Sequence, residues 1–177
     1  MPSVNASFSR DSNSVPITTD GITITNTKVL SGNNTTAFVP VFRITGTVEI
    51  RGLWAVASTT IGVNHTAAYF RLNDQTAQVA ITLATGVTLS GLKTGTIVAK
   101  KGLNTAALTL LDNAAGRVSE PTTLETTVFS PFLAVKKTAA TTDIEYSYAT
   151  TDAPTTGSLT FYARFIPVSD DGTLTLI

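Results

Sequence analysis

Residues 142–148 read TDIEYSY, and residues 157–166 read GSLTFYARFI. In both stretches apolar side chains occupy every second position, with mostly polar side chains between them. A period of two is typical of a β-strand that turns one face to a core and the other to solvent. The linking segment 152–157 contains Pro and Gly and predicts a hairpin loop between the two strands. Pro167 should end the second strand or place it at a sheet edge.

Comparable segments occur along the rest of the chain. Strands are predicted at 22–25, throughout 38–60, and at 67–72, 78–83 and 94–100. Within the long segment, Gly46 marks a break and Gly52 a bulge or a close backbone approach. Residues 105–111 fit a short helix or a buried strand, and 118–131, with two prolines, are predicted to form a long loop.

About nine or ten short strands at regular spacing favour an all-β fold over an alternating βαβ fold. The prediction is an antiparallel β-sandwich or jelly roll. The composition of the chain also favours a β fold, because Thr, which is β-branched and disfavours helix, fills 34 of the 177 positions. A chain of this length can bury a substantial core as one domain.

Charge and cysteine content exclude several classes of function. The chain has no Cys, which excludes a disulfide framework and thiolate chemistry. Only 14% of the residues are charged, and the net charge is zero. A neutral chain has no broad electrostatic attraction to nucleic acid or to an anionic membrane, so neither is an expected partner.

Residues 1–20 form a predicted N-terminal arm, and residues 21–177 form the predicted β-domain. The arm is polar and rich in Ser and Asn, and its apolar residues are Val4, Phe8, Val15 and Ile17. Four such residues cannot form a core, because ordering the backbone costs about 1–2 kcal/mol per residue. We therefore expect a neighbouring subunit to bury them. Phe129 and Phe132, two rings in the predicted loop, complete the set of interface candidates.

The residues with catalytic potential have simpler explanations. His65, the single histidine, lies in a polar segment predicted to be a surface loop, and alone it cannot form a zinc site. Glu49 and Glu145 alternate with apolar neighbours and are predicted to face solvent, so a glycosidase pair is disfavoured. We expect no catalytic residue, no metal, no cofactor and no enzyme activity. Alanine replacement of each of these three residues should leave the function intact.

Three further groups of residues are explained by structural roles. Trp54 and Phe70 are predicted to fill the core. The doublets Lys100-Lys101 and Lys136-Lys137 are predicted to lie on solvated faces or to guard apolar strands against aggregation. Residues 170–172, Asp-Asp-Gly, are predicted to form a plain turn rather than part of a calcium loop.

The chain resembles virion structural proteins of tailed bacteriophages. The resemblance is carried by the stretches 44–50 (ITGTVEI), 71–76 (RLNDQT) and 144–148 (IEYSY), in a Cys-free, Thr/Ala-rich β chain with a polar arm. It covers roughly residues 40–170 and brings no catalytic or binding motif. What it implies is a head decoration (cement) protein or a tail component, located in the virion.

The first hypothesis is a capsid decoration protein that binds the major capsid protein or another virion protein. Such a protein would also bind copies of itself, and the expected assembly is a trimer at a lattice three-fold. The alternative is a tail or fibre component that recognises a host glycan, to which Tyr69, Trp54 and Asp74 would contribute. A third hypothesis, a β-sandwich lyase or hydrolase, is disfavoured by the single His and the lack of a paired-acid motif.

Overall fold

The computed structural model describes residues 21–31, 36–62, 65–84, 87–100, 102–103, 105–111, 130–150 and 156–177, with the backbone alone at Leu111. These residues form two antiparallel sheets that pack against each other, with no helix among them. The all-β sandwich prediction is confirmed. The strands are β1 Ile22–Val29, β2 Thr36–Thr45, β3 Thr47–Thr59, β4 His65–Asn73, β5 Gln78–Ala80, β6 Ile97–Ala99, β7 Thr109–Leu111, β8 Phe132–Val135, β9 Asp143–Thr150, β10 Ser158–Pro167 and β11 Thr173–Leu176.

The strand pairing is nested along the chain. β1 pairs with β10, β2 with β9, β3 with β8 and β4 with β5, so each pair lies inside the previous one. Successive pairs alternate between a six-stranded sheet, ordered β1-β10-β3-β6-β7 with β8 also on β3, and a five-stranded sheet, ordered β11-β2-β9-β4-β5. Nested antiparallel pairs that alternate between two sheets form a jelly roll, the second of the two predicted architectures.

The predicted hairpin between the two best-patterned strands is wrong. β9 pairs with β2 and β4 in one sheet, whereas β10 pairs with β1 and β3 in the other. The connection between them therefore crosses from sheet to sheet. A strand alternates in the same way whether its neighbour in sequence lies beside it or across the core, so the pattern could not distinguish the two. Pro167 does end β10.

Inward-facing side chains of both sheets form one core. Its largest fully buried members are aromatic: Tyr146, Tyr148, Phe42, Phe70, Phe161 and Phe165. The Phe161 ring lies between the sheets, with its centroid 5.2 Å from that of Tyr146 and 6.1 Å from that of Phe70. Burying a side chain of this size contributes roughly 1.5–3 kcal/mol, so the aromatic layer accounts for much of the stability. The core prediction is confirmed for Phe70.

A bulge in β3 moves the inward face from one set of positions to the other. Val48, Ile50 and Gly52 are buried, and then Leu53, Ala55 and Ala57 are buried. The pairing with β10 shifts register here, from Arg164 opposite Gly52 to Phe165 opposite Ile50. The break at Gly46 and the bulge at Gly52 are confirmed. The bulge also turns Trp54 to the outer face, so its predicted place in the core is wrong.

Several short strands differ from the sequence prediction. Residues 105–111 contain strand β7 and no helix. Phe132, predicted in a loop, begins strand β8 opposite Ile50, and its ring packs against the core. β11 had no predicted counterpart. Strands of three or four residues are too short to display a period, which is why the sequence pattern missed them.

The predicted arm, residues 1–20, lies outside the described residues together with its candidates Val4, Phe8, Val15 and Ile17. Phe129 also lies outside them.

Candidate interaction surface

The outer face of the six-stranded sheet carries exposed apolar side chains at one end. Leu133, Val135 and Val168 expose 64%, 57% and 55% of their surface. In the strand pairing, Leu133 and Ile166 lie on either side of Glu49. Val135 lies opposite Thr47. The carbonyl oxygen of Thr47 accepts a hydrogen bond from the Val168 N–H at 2.9 Å, which places Val168 beside Val135. We call Leu133, Val135, Ile166 and Val168 the outer patch.

The period of strand β8 produces half of this patch. Ala134 is 1% exposed and Phe132 packs against the core, so the residues that alternate with them must point outward. Both outward residues are apolar. Exposed apolar surface costs roughly 25 cal/mol per Å², and contiguous patches of it mark interaction sites. The outer patch is therefore the best candidate for a surface that a partner covers.

Three charged side chains of β3 and β10 lie on this face: Glu49, Arg51 and the exposed Arg164. Glu49, in the middle of the patch, forms an ion pair with Arg51 at 3.3 Å. Both side chains remain partly exposed, and such pairs contribute about 0–1 kcal/mol. Farther along the same face Trp54 stacks on Tyr162, with ring centroids 5.2 Å apart and planes within 3° of parallel. An apolar or aromatic partner would meet little electrostatic resistance on this surface.

His65 is fully buried, so its prediction as a surface-loop residue is wrong. It is the first residue of β4, and its ring stacks on Tyr148 with centroids 4.3 Å apart. His65 Nε2 and the Tyr146 hydroxyl are 2.9 Å apart and share a hydrogen bond. Burial lowers the pKa of His65 to about 4, so the ring is neutral near pH 7. This arrangement is that of a core histidine.

Glu145 is also buried, so its predicted solvent-facing position is wrong. Its carboxylate forms an ion pair with Arg71 at 2.6 Å and accepts a hydrogen bond from Asn73 Nδ2 at 2.8 Å. Arg71 lies directly opposite Glu145 in the β4–β9 ladder and also donates to Gln78 Oε1 at 2.6 Å. The Phe38 ring covers the guanidinium at 3.6 Å. This cover, supplied by a strand distant in sequence, explains why alternation gave the wrong environment.

Lys100 differs from its prediction in the same way, because it is 2% exposed. Its ammonium donates to the Gly102 carbonyl oxygen at 2.6 Å and lies 5.5 Å from the centre of the Phe132 ring. Burial lowers its pKa. Lys101 lies outside the described residues, whereas Lys136 is exposed and Lys137 partly so.

The predicted Asp-Asp-Gly turn at residues 170–172 is confirmed, with the Gly172 N–H donating to the Ser169 carbonyl oxygen at 2.8 Å.

The residues proposed for a glycan site are not brought together. Tyr69 and Asp74 belong to the side of the five-stranded sheet, whereas Trp54 is on the outer face of the other sheet. Asp74 accepts hydrogen bonds from the backbone N–H groups of Ala77 and Thr76, which hold its pKa well below its usual range. Those bonds make it part of a turn.

The two candidate carboxylates are also separated. Glu49 lies on the six-stranded sheet and Glu145 on the five-stranded sheet, each on an outer face, so the whole sandwich lies between them. They cannot flank one glycosidic bond. Among the described positions, no group of three or more His, Asp or Glu is arranged to hold a metal ion.

None of the described segments contains a helix with the length and apolar character needed to cross a membrane. Compared with protein-family models, with curated proteins and with solved structures, the chain matches none.

Proposed function

We propose that this chain is a structural protein of a bacteriophage virion, a capsid decoration protein that binds the capsid lattice and copies of itself. The outer patch carries the proposal. It is an exposed apolar surface on a rigid sheet with few charges, which suits permanent burial against other subunits. The jelly-roll winding supports it as an analogy of fold, because viral capsid domains often use this architecture.

The partner in this proposal is the major capsid protein or another virion protein. The proposal includes self-association as a trimer, which has the closed symmetry that most small homo-oligomers share. Each contact need only be modest, because many copies on one lattice bind with high avidity.

The test measures binding to virus particles that lack the chain. We expect the purified protein to restore decoration, seen as added density in electron micrographs, and a Leu133→Asp, Val135→Asp variant to lose most of it. Val79→Asp is the matched control, because Val79 is similarly exposed, at 55%, but lies on the five-stranded sheet. Equal binding by all three proteins would show that the outer patch is not the attachment surface. Absence of the chain from every particle would contradict the virion role itself.

A tail or fibre component that binds a glycan is the second candidate. The observation in its favour is the partly exposed Trp54–Tyr162 stack, since paired aromatic rings offer an amphipathic surface to a sugar. A glycan array tests it directly. Saturable binding that Trp54→Ala abolishes, while the Leu133→Asp, Val135→Asp variant retains it, would favour this candidate over decoration.

A further inference from the structure

The arm joins the domain beside the outer patch. Ile22, the first residue of β1, lies opposite Phe165; Phe165 lies opposite Ile50, and Ile50 opposite Phe132. The adjacent row of residues across the sheet, one position closer to the arm, runs from Gly21 past Ile166 and Glu49 to Leu133. A Cβ built on Gly21 would lie 3.2 Å from Cγ1 of Ile166. Gly21, the residue at which the arm joins the domain, therefore lies at the edge of the patch.

The distance across the sheet matches the length of chain that is available. Leu133 lies three strand spacings from Gly21, about 14–15 Å. The four residues that separate Ile17 from Gly21 span at most about 13–14 Å when extended, and the side chains bridge the remaining gap. Gly21 has a φ of 86°, a left-handed conformation in which the chain can turn sharply out of the line of β1.

The sequence Val15-Pro16-Ile17 suits such a contact. A residue before proline is restricted to extended conformations, and proline itself fixes φ near −65°. In an extended chain, residues two apart lie on the same side, so Val15 and Ile17 present two apolar groups to one surface. The segment carries no charge.

We propose that Val15–Ile17 packs on the outer patch of its own chain, with Ile17 beside Leu133 and Val15 beyond it toward Val135. This contact anchors the first part of the arm and covers part of the patch, so the surface that the proposed function presents to other subunits consists of the docked segment together with the part of the patch that stays uncovered. Residues 1–14, including Val4 and Phe8, then continue past the edge of β8 and can extend about 46–50 Å toward a neighbouring subunit. The last step rests on the proposed function, whereas the docking of Val15–Ile17 is a property of the isolated chain.

Disulfide trapping tests the docking, because the chain has no Cys of its own. The test protein carries Ile17→Cys and Leu133→Cys. The control carries Ile17→Cys and Val29→Cys, since Val29 is 77% exposed and lies at the far end of β1. It is about 26–27 Å from Gly21 along the strand, whereas Ile17 and a disulfide together reach roughly 18–21 Å.

Mild oxidation of the purified full-length chain should cross-link the test pair within one chain and leave the control pair as free thiols. A tether of this length gives an effective concentration on the order of millimolar, so closure should dominate at micromolar protein. Non-reducing electrophoresis separates the compact monomer from dimers. Closure of both pairs to the same extent, closure of neither, or products that are mainly dimers would overturn the proposal.

A second measurement does not depend on cross-linking. Hydrogen exchange at the amides of β8 should be several-fold faster in an Ile17→Asp chain than in the unmodified chain, because the aspartate cannot pack on the patch. A rate unchanged by Ile17→Asp would also overturn the proposal. Both measurements use the isolated chain, so their failure leaves the virion role standing, and absence from particles leaves the docking standing.

Discussion

At the scale of single residues, the burial of His65 makes the stability of the domain depend on pH. The groups that face its ring are Tyr146 and Tyr148, whose pKa values burial raises, so they stay neutral. The pKa of His65 falls from its ordinary 6.5 to about 4 on folding. The resulting stabilisation is fully present above pH 6.5, decreases as the pH falls toward 4, and amounts to roughly 3 kcal/mol in total.

We expect His65→Gln to reduce this pH dependence. Glutamine does not titrate and retains a hydrogen-bonding group near the Tyr146 hydroxyl. Urea denaturation at pH 7 and pH 4.5 should show that the unmodified protein loses about 2 kcal/mol more than the variant over this range. The carboxylates are common to both proteins, so the difference isolates the histidine. Equal losses would show that His65 is not the titrating group.

Two carboxylates with the same sequence pattern should differ strongly in their effect on stability. Glu145→Ala leaves the buried Arg71 without its partner, which should cost about 3–5 kcal/mol of unfolding free energy. Glu49→Ala, the control, removes a partly exposed pair and should cost less than about 1 kcal/mol. Chemical denaturation at pH 7 measures both. Similar small costs would contradict the role assigned to the buried pair.

Alanine at His65, Glu49 or Glu145 should still leave the function intact, but for two of these residues the physical reason is not the exposure to solvent that alternation suggested. His65 and Glu145 are structural because they are buried, not because they are solvated. The prediction therefore applies to variants whose folding has been verified. For Glu145, a Gln replacement, which keeps a partner for Arg71, is the better test.

At the scale of elements, the turn between β2 and β3 depends on Gly46. This residue has a φ of 59°, and a Cβ there would collide with the side chains of Asp171 and Ser169 in the turn before β11. Gly46→Ala should therefore destabilise the domain by about 2–4 kcal/mol, from both backbone strain and overpacking. Gly91→Ala is the matched control, since Gly91 has a φ of 73° but nothing within 4 Å of the added Cβ.

Thermal unfolding of the two glycine variants should separate these effects. Gly91→Ala should show only the conformational cost, about 1–2 kcal/mol. If Gly46→Ala lowers the melting temperature no more than Gly91→Ala does, the packing of the two turns is not as close as the structure indicates.

The long strands were predictable because eight to thirteen residues display a period of two, as in β9 and β10. Their partners were not, because the nested pairing joins segments about a hundred residues apart, such as β2 and β9. The environments of Glu145 and Trp54 depend on such distant events, a covering Phe38 and a bulge at Gly52. The outer patch had one visible signal, the apolar run Phe132–Val135, but without its pairing to β3 that run read as the end of a loop.

At the scale of the whole molecule, the described domain contains its own core. Among the described residues, the large side chains that are fully buried belong to residues 30–165, and we expect this core to fold without residues 1–20. Packing Val15 and Ile17 on the patch adds only about 1 kcal/mol of net stability, because the gain from burial is largely offset by about 1–2 kcal/mol of backbone entropy for each residue that becomes ordered. The arm should matter for attachment, not for folding.

Deleting residues 1–20 should therefore shift the melting temperature by only a few degrees, since 1 kcal/mol corresponds to about 2–4 °C in a chain of this size. Binding to particles should be lost or greatly weakened. Burying Phe8 in a neighbouring subunit would contribute roughly 1.5–3 kcal/mol per copy, and avidity multiplies that loss over the lattice.

A chain with residues 1–14 replaced by a Gly/Ser segment of equal length is the control that keeps Val15–Ile17 and still removes Val4 and Phe8. Because both altered chains lack the neighbour's contacts, both should fail to decorate. A truncated chain that does not fold would place the arm in the core, and one that decorates fully would show that attachment comes from the domain alone.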